Sequence, residues 1–429
     1  TNFNISVGIT EKFMNAVKQE GEYELIDPHS KRPARAENAK RVFDMLVSAA
    51  WRNGDPGVVF LDRMNEDNPT PKLGEIESTN PCGEVPLLAF ESCNLGSLNL
   101  AQFVKENDFD WTELREAVRI GVHFLDNVID MNNYPLPEIE QMTKHGTRKI
   151  GLGVMGWAES LYMLDLPYNS EKAVQLADKL MGFIRKEADA KSIELAEKRG
   201  PFPAFEESTL NKPGAPKFRN ATRCCIAPTG EISMIADTSG GIEPVFALSF
   251  VKRVLDGQDF LYLNDTFKKT AQERGFFSEQ LAEEITNKGS IAHIESIPED
   301  ARKTFVVAFD IAPEWHVRMQ AAFQKHVDLA VSKTINFPQD ATIEDVEKTY
   351  MMAYDLGCKG ITIYRDKSRQ EQILNIEGAP KSTAPVQTVD PGLESPSQEV
   401  NTCPKCSTKL VMQEGCASCP SCGYSLCKV

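Results

Sequence analysis

The sequence predicts an α/β fold, and three observations carry that prediction. Short β-patterned runs alternate with longer stretches of helical periodicity as far as about residue 370. Apolar residues make up 41% and charged residues 25%, the balance of a globular chain with a buried core. Six of the eleven cysteines lie within Cys403–Cys427, so a large cysteine-poor body is followed by a small cysteine-rich tail. Only Cys82, Cys93, Cys224, Cys225 and Cys358 belong to the body.

The elements follow in order. Residues 4–9 read as a strand, and Thr10 caps a short helix running towards Gly21. Residues 38–53 are helical, with Val42, Met45, Leu46 and Ala49 expected on one face. Ser170 caps a long helix to Lys198, which Gly200 and Pro201 end. Val174, Ala177, Leu180 and Ile184 form its apolar stripe, which reads as core packing. Thr342 and Asp345 make a capping box for a helix stopping at Gly357, and residues 360–364 follow as a buried strand. Beyond that the composition changes. Pro380, Pro385, Pro391 and Pro396 stand among Ser, Thr, Gln, Gly and Glu, a flexible linker that spans roughly 30 Å as a coil. The expected organisation is a body at 1–373, a linker at 374–402 and a cysteine-rich tail at 403–429.

Charge and composition exclude several classes of function. Net charge is −15, from 47 basic and 62 acidic residues, which argues against a nucleic-acid polymer as partner. A nucleotide needs only a local cradle and stays admissible. No apolar run approaches the roughly 20 residues that span a bilayer, so no membrane association is expected. The start, Thr1–Asn4, has no signal-peptide pattern, and the cysteine distribution fits the cytoplasm. The chain does not begin with Met, so a fragment starting mid-protein, or one exposed by processing, is expected.

Asn80-Pro81-Cys82-Gly83-Glu84 sets an amide, a thiol and a carboxylate on alternate positions. In an extended run or a tight tip these three point the same way. Cys93 supplies a second thiol eleven residues later. No His lies nearby to activate Cys82, so the constellation reads as redox chemistry; the competing reading is a turn around an inert buried cysteine. In Ala227–Ser233, hydroxyls and backbone N–H groups at a helix start can hold an anion. Cys403-x2-Cys406 and Cys419-x2-Cys422 have the spacing of a structural Zn2+ site, against two disulfides or an iron centre. Cys416 and Cys427 are left over beside it. Cys224, Cys225, Cys358, His316 and His326 read as structural.

Ser78–Leu88 resembles the active-site segment of ribonucleotide reductases, and is most similar to that of the adenosylcobalamin-dependent class II enzymes. The resemblance continues through Glu91–Ser97, Lys149–Gly156, Ile226–Gly230, Gly241–Phe246, Val331–Pro338 and Gly357–Thr362. It covers nearly all of residues 2–369 and the tail. It implies part of a ten-stranded α/β barrel with Cys82 on a loop threaded into it. It also implies that the family's amino-terminal part, with the second partner cysteine, precedes this chain.

The resemblance further implies a mechanism. Adenosylcobalamin starts the radical chemistry, Cys82 becomes the thiyl that takes the 3′-hydrogen, Glu84 is the general base and Asn80 orients the ribonucleotide. Cys93 and its absent partner supply two electrons. Ser78, Thr79, Pro228, Thr229, Gly230 and Ser233 bind substrate, with diphosphates expected ahead of triphosphates. Glu231 departs from the small residue expected in that loop, and its carboxylate would repel a phosphate. Cys416 and Cys427 act as the shuttle that reduces the active site, Cys422 with Cys427 being the alternative pair, and a thioredoxin-like protein reduces the shuttle. A homodimer is allowed. The zinc tail, and nine tyrosines none of which is adjacent to another, favour class II over the iron-dependent class. Two other readings stand beside this one: a non-catalytic half of a split reductase, and a zinc-ribbon binding protein with an inert body.

Overall fold

β1 (Ser6–Ile9) leads into α1 (Glu11–Lys18), whose first turn is capped by the Thr10 hydroxyl accepting from the Phe13 N–H. α2 (Ala39–Asn53) starts on the Asn38 side chain and ends at Gly54, which turns the chain at φ 84°. Its buried face is Ala39, Phe43, Leu46, Val47 and Ala50, while Met45 is 62% exposed. This corrects the face expected around Val42, Met45, Leu46 and Ala49. Burying the Phe43 ring is worth about 1.5–3 kcal/mol and rotates the helix by one position.

The remaining framework consists of β2 (Gly57–Phe60), β3 (Asn94–Asn99), α3 (Trp111–Met131), β4 (Ile150–Met155), α4 (Glu171–Arg199), α5 (Gly230–Ile235), α6 (Pro313–Gln324), β5 (Thr334–Phe337), α7 (Ile343–Asp355) and β6 (Gly360–Arg365). Ser170 caps α4 and the Thr342–Asp345 capping box opens α7, both as the sequence predicts. Along α4, Ala173, Ala177, Leu180 and Ile184 are buried and Val174 is partly so.

Strand order places the site. β4 pairs in parallel with β3, and on its other side Leu152 bridges Cys224. Ile226 then bridges Val331, just ahead of β5, and β5 pairs in parallel with β6. β6 runs antiparallel to β2, which pairs in parallel with β1. Among the described residues this succession does not close on itself, and β3 and β1 are its ends.

One face of these strands packs under helices. Val58, Ile335, Phe337, Ile361 and Ile363 share a core with α1, α2 and α7. Ile150, Leu152 and Val154 share a second with α3 and α4. The alternate residues look to the other, inner face. There Gly151 and Gly153 make room: a Cβ at Gly153 would stand 2.2 Å from the Cys225 carbonyl oxygen.

The computed structural model describes residues 4–253, 259–368 and, in the tail, 403, 406, 411–413, 416–418, 422 and 425–427. The chain divides into two units, Thr1–Ala379 and Pro380–Val429. The expected linker at 374–402 lies outside the described residues. The tail carries β7 (Val411–Gln413), β8 (Cys416–Ser418) and β9 (Ser425–Cys427), paired antiparallel. No described helix is long and apolar enough to cross a membrane.

Candidate active site

The Cys82 segment is a tight tip. Ser78–Thr79 and Pro86–Leu87 pair antiparallel, and the chain between them closes on Asn80. Gly83 N–H donates to the Asn80 carbonyl at 3.0 Å, and Val85 N–H to Asn80 Oδ1 at 3.0 Å. Gly83 sits at φ 83°, where a side chain would be strained. Ala330 N–H donates to the Glu84 carbonyl at 2.8 Å, tying the tip to the segment that precedes β5. Pro81, Cys82 and Gly83 thereby line a cleft with Ser6, Val59, Val331, Lys333 and Thr362.

Within this tip the three predicted groups differ. Cys82 is exposed, Glu84 is buried at 3%, and Asn80 is half-buried with its carbonyl oxygen already engaged. Burial raises the Glu84 carboxyl above its ordinary range, and a hydrogen bond from the Asn80 side chain opposes that rise. Glu84 Oε2 is buried with no hydrogen-bond partner, an acceptor open to a ligand's hydroxyl. Burial also raises the Cys82 thiol, helped by the charges of Glu84 and Glu231. A nucleophilic cysteine needs its pKa lowered. This one keeps its S–H, which suits a hydrogen-atom donor.

Cys93 immediately precedes β3 and is half-buried, its Sγ 3.7 Å from the Asn94 carbonyl oxygen. Burial pushes its thiol up strongly, and the Lys149 ammonium pulls against that. Lys149 itself pairs with Glu91 at 2.6 Å, both side chains buried. Glu91 also accepts from Leu88 N–H at 2.7 Å and the Thr147 hydroxyl at 2.7 Å. This buried cluster anchors the chain between the Cys82 tip and Cys93.

The anion-loop residues surround α5. Thr229 is buried at φ 55° and its Oγ1 accepts from Gly241 N–H at 2.7 Å, leaving its proton to donate. Ser233 is buried and its hydroxyl donates to the Gly230 carbonyl at 3.2 Å. Pro228 is half-buried, Gly230 is exposed, and Glu231 is exposed with its charge felt at Cys82. Ser78 is exposed, and the Thr79 hydroxyl is held by the Asn80 carbonyl at 2.9 Å.

A buried lysine joins these parts. Lys333 Nζ donates to Glu243, to His316 Nδ1 at 3.0 Å and to the Thr334 carbonyl at 2.6 Å. Glu243 also accepts from Thr334 N–H at 2.7 Å. Burial lowers the Lys333 pKa while Glu243 opposes it, and burial holds His316 neutral. His316 Nε2 therefore donates to the Ala308 carbonyl, 3.1 Å away. The sequence reading missed Lys333, Glu243, Glu91 and Lys149 as site residues. Each lies inside a quoted motif, but a role for it depends on partners 58 to 91 positions away.

Cys224, Cys225 and Cys358 are buried, and His326 meets Asp178 at 2.8 Å. In the tail, the sulfurs of Cys403, Cys406 and Cys422 lie within 4.8 Å of one another, a donor set that fits a thiolate-held metal. Cys419 lies outside the described residues. Cys416 and Cys427 are register partners on β8 and β9.

The family described as "Ribonucleotide reductase, barrel domain" matches residues 1–216 and 215–364. A protein of Thermoplasma acidophilum named vitamin B12-dependent ribonucleoside-diphosphate reductase is 48% identical over 377 residues, covering 87% of this chain and 48% of that protein. One of the same name from Mycobacterium tuberculosis is 47% identical over 380 residues, covering 89% of this chain and 54% of its own. The chain thus spans about half the length of the curated relatives it matches. The class Id ribonucleotide reductase alpha subunit of Actinobacillus ureae shares the fold, with a TM-score of 0.68 at 24% identity over 85% of this chain and 65% of that one. With most of its length matched by that family, this chain belongs to the ribonucleotide reductase barrel-domain family.

Proposed function

We propose that this chain supplies the carboxy-terminal part of the active barrel of a vitamin B12-dependent ribonucleoside-diphosphate reductase. The observation that carries the reading is the Cys82–Glu84 pair: an exposed thiol, its pKa raised by burial, beside a buried carboxylate with one unpartnered oxygen. Two relatives named for that activity, at 47–48% identity, support the choice. An exposed, uncharged thiol at a cleft fits a radical-generating cofactor. Adenosylcobalamin, when bound, supplies the initiating radical.

The residues then have defined work. Cys82 gives up its S–H hydrogen and its sulfur takes the 3′-hydrogen of the ribonucleotide. Glu84 Oε2 accepts the 3′-hydroxyl proton, which eases loss of the neighbouring 2′-hydroxyl as water. Asn80 serves the substrate by holding both the tip and Glu84. Cys93 and a cysteine from an upstream segment each lose a hydrogen and join as a disulfide, so two thiols and a ribonucleotide yield a disulfide, water and a deoxyribonucleotide. Pro228, Thr229, Gly230 and Ser233, with Ser78 and Thr79, hold the diphosphate.

Thiol exchange with Cys416 and Cys427 restores Cys93, and a thioredoxin-like protein reduces that pair. Cys403, Cys406, Cys419 and Cys422 hold Zn2+. The cytoplasm is the expected site of action and a homodimer the expected assembly. The half-length match favours a chain inactive until its upstream segment is present.

The test is deoxycytidine diphosphate formation from CDP with adenosylcobalamin and dithiothreitol, by the chain alone and with its upstream segment. Product is expected from the mixture and lost in Cys82→Ser. A mixture that binds cobalamin and CDP yet forms no product refutes the reading.

A further inference from the structure

We infer that Phe246, Phe309 and Tyr364 form a stacking shelf, beside the Cys82 cleft, for a planar heteroaromatic ring of a bound ligand. The inference rests on the reading proposed above. The three rings come from separate segments and touch in series. Phe246 and Phe309 have centroids 5.5 Å apart at an interplanar angle of 75°, and Phe309 and Tyr364 lie 6.4 Å apart at 51°. All three are only partly buried. Joined apolar rings left partly open to solvent carry a cost that a stacked partner removes.

Their placement is fixed by the groups that also build the cleft. Ala308 N–H donates to the Val245 carbonyl at 2.9 Å, which sets Phe309 beside Phe246. The Ala308 carbonyl accepts from His316, His316 accepts from Lys333, and Lys333 lines the cleft with Cys82. Tyr364 lies on β6, where Ile361 and Ile363 are 3% and 2% exposed on the helix-covered face. Thr362 and Tyr364 therefore look to the inner face, and Thr362 lines the cleft. Tyr364 stands two residues further along, about 6.6 Å by strand rise.

A ribose presented to Cys82 carries its base to one side, and the shelf stands on the strand whose Thr362 lines the cleft. Aromatic stacking accepts any base, because every base has a π-face. Two ligand groups have this chemistry, the base of a ribonucleotide and the adenine of adenosylcobalamin.

The test uses the full-length enzyme with Phe309→Leu and Tyr364→Leu. Dissociation constants are measured for CDP, adenosylcobalamin and hydroxocobalamin, with melting curves as a check on folding. A stacked ring is expected to lose about ten-fold in affinity. Weaker CDP binding with both cobalamins unchanged assigns the shelf to the substrate base. Weaker adenosylcobalamin binding with hydroxocobalamin and CDP unchanged assigns it to the adenine. No change for any probe, equal loss for both cobalamins, or equal loss for all three overturns the shelf. A wild-type enzyme that binds none of the probes removes the proposed function itself, and the shelf with it.

Discussion

Glu84 is the residue whose environment makes the sharpest demand. Burial favours its neutral form, while a general base must be ionised. The acid limb of kcat/KM is therefore expected above the ordinary carboxylate range. In Asn80→Ala the hydrogen bond favouring the ionised form is gone, so the carboxyl pKa climbs and the limb moves to higher pH. A pH–rate profile of both enzymes checks this, and an unmoved limb removes Asn80 from that role. The same raised pKa means that protonated Glu84 stabilises the fold at low pH. That contribution is lost as pH rises through the folded-state pKa. Lys149 makes a second demand. In Lys149→Met the buried Glu91 loses its cation, at a cost of about 3–5 kcal/mol. Adding Glu91→Leu is expected to recover most of that cost in urea unfolding, because no unpaired charge then stays buried.

At the scale of elements, the helices were the most legible part of the sequence. Thr10, Ser170 and the Thr342–Asp345 pair cap helices where their side chains predict, because capping is a local interaction. The α2 face was read one position off, since periodicity alone could not weigh Phe43 against Met45. Cys82, Glu84 and Cys93 stood out by residue type and motif. Glu91, Lys149, Glu243 and Lys333 did not, because long-range pairing gives them their meaning. The glycines of β4 show the same limit. Their motif was visible, and its reason is the approach of the 224–226 segment. Gly153→Ala puts a methyl 2.2 Å from the Cys225 carbonyl oxygen, so a loss of about 1–3 kcal/mol is expected. Gly21→Ala meets only the Ala16 carbonyl oxygen at 3.8 Å and is expected to stay within about 0.5 kcal/mol. Denaturant midpoints compare the two directly.

For the whole molecule, the described strand succession has an end whose pairing can be tested. The curated relatives are about twice as long as this chain, and among the described residues the succession stops at β3 and β1 without closing. β1 pairs with β2 on one side, and its Ile5 and Val7 neighbourhood is 57% and 38% exposed. An edge that carries exposed apolar residues and is unpaired among the described residues invites pairing with another strand. If an upstream segment supplies that strand, its binding must stabilise the folded chain by mass action, by about 2.7 kcal/mol at a hundred-fold excess over Kd. The midpoint of thermal unfolding should then rise with the concentration of added upstream segment. Replacing Ile5 and Val7 by Lys should weaken that rise while leaving the melting of the isolated chain little changed, because neither residue belongs to its core. A midpoint indifferent to the upstream segment would mean that the open edge is native to this chain, and would separate its folding from the assembly that catalysis is proposed to need.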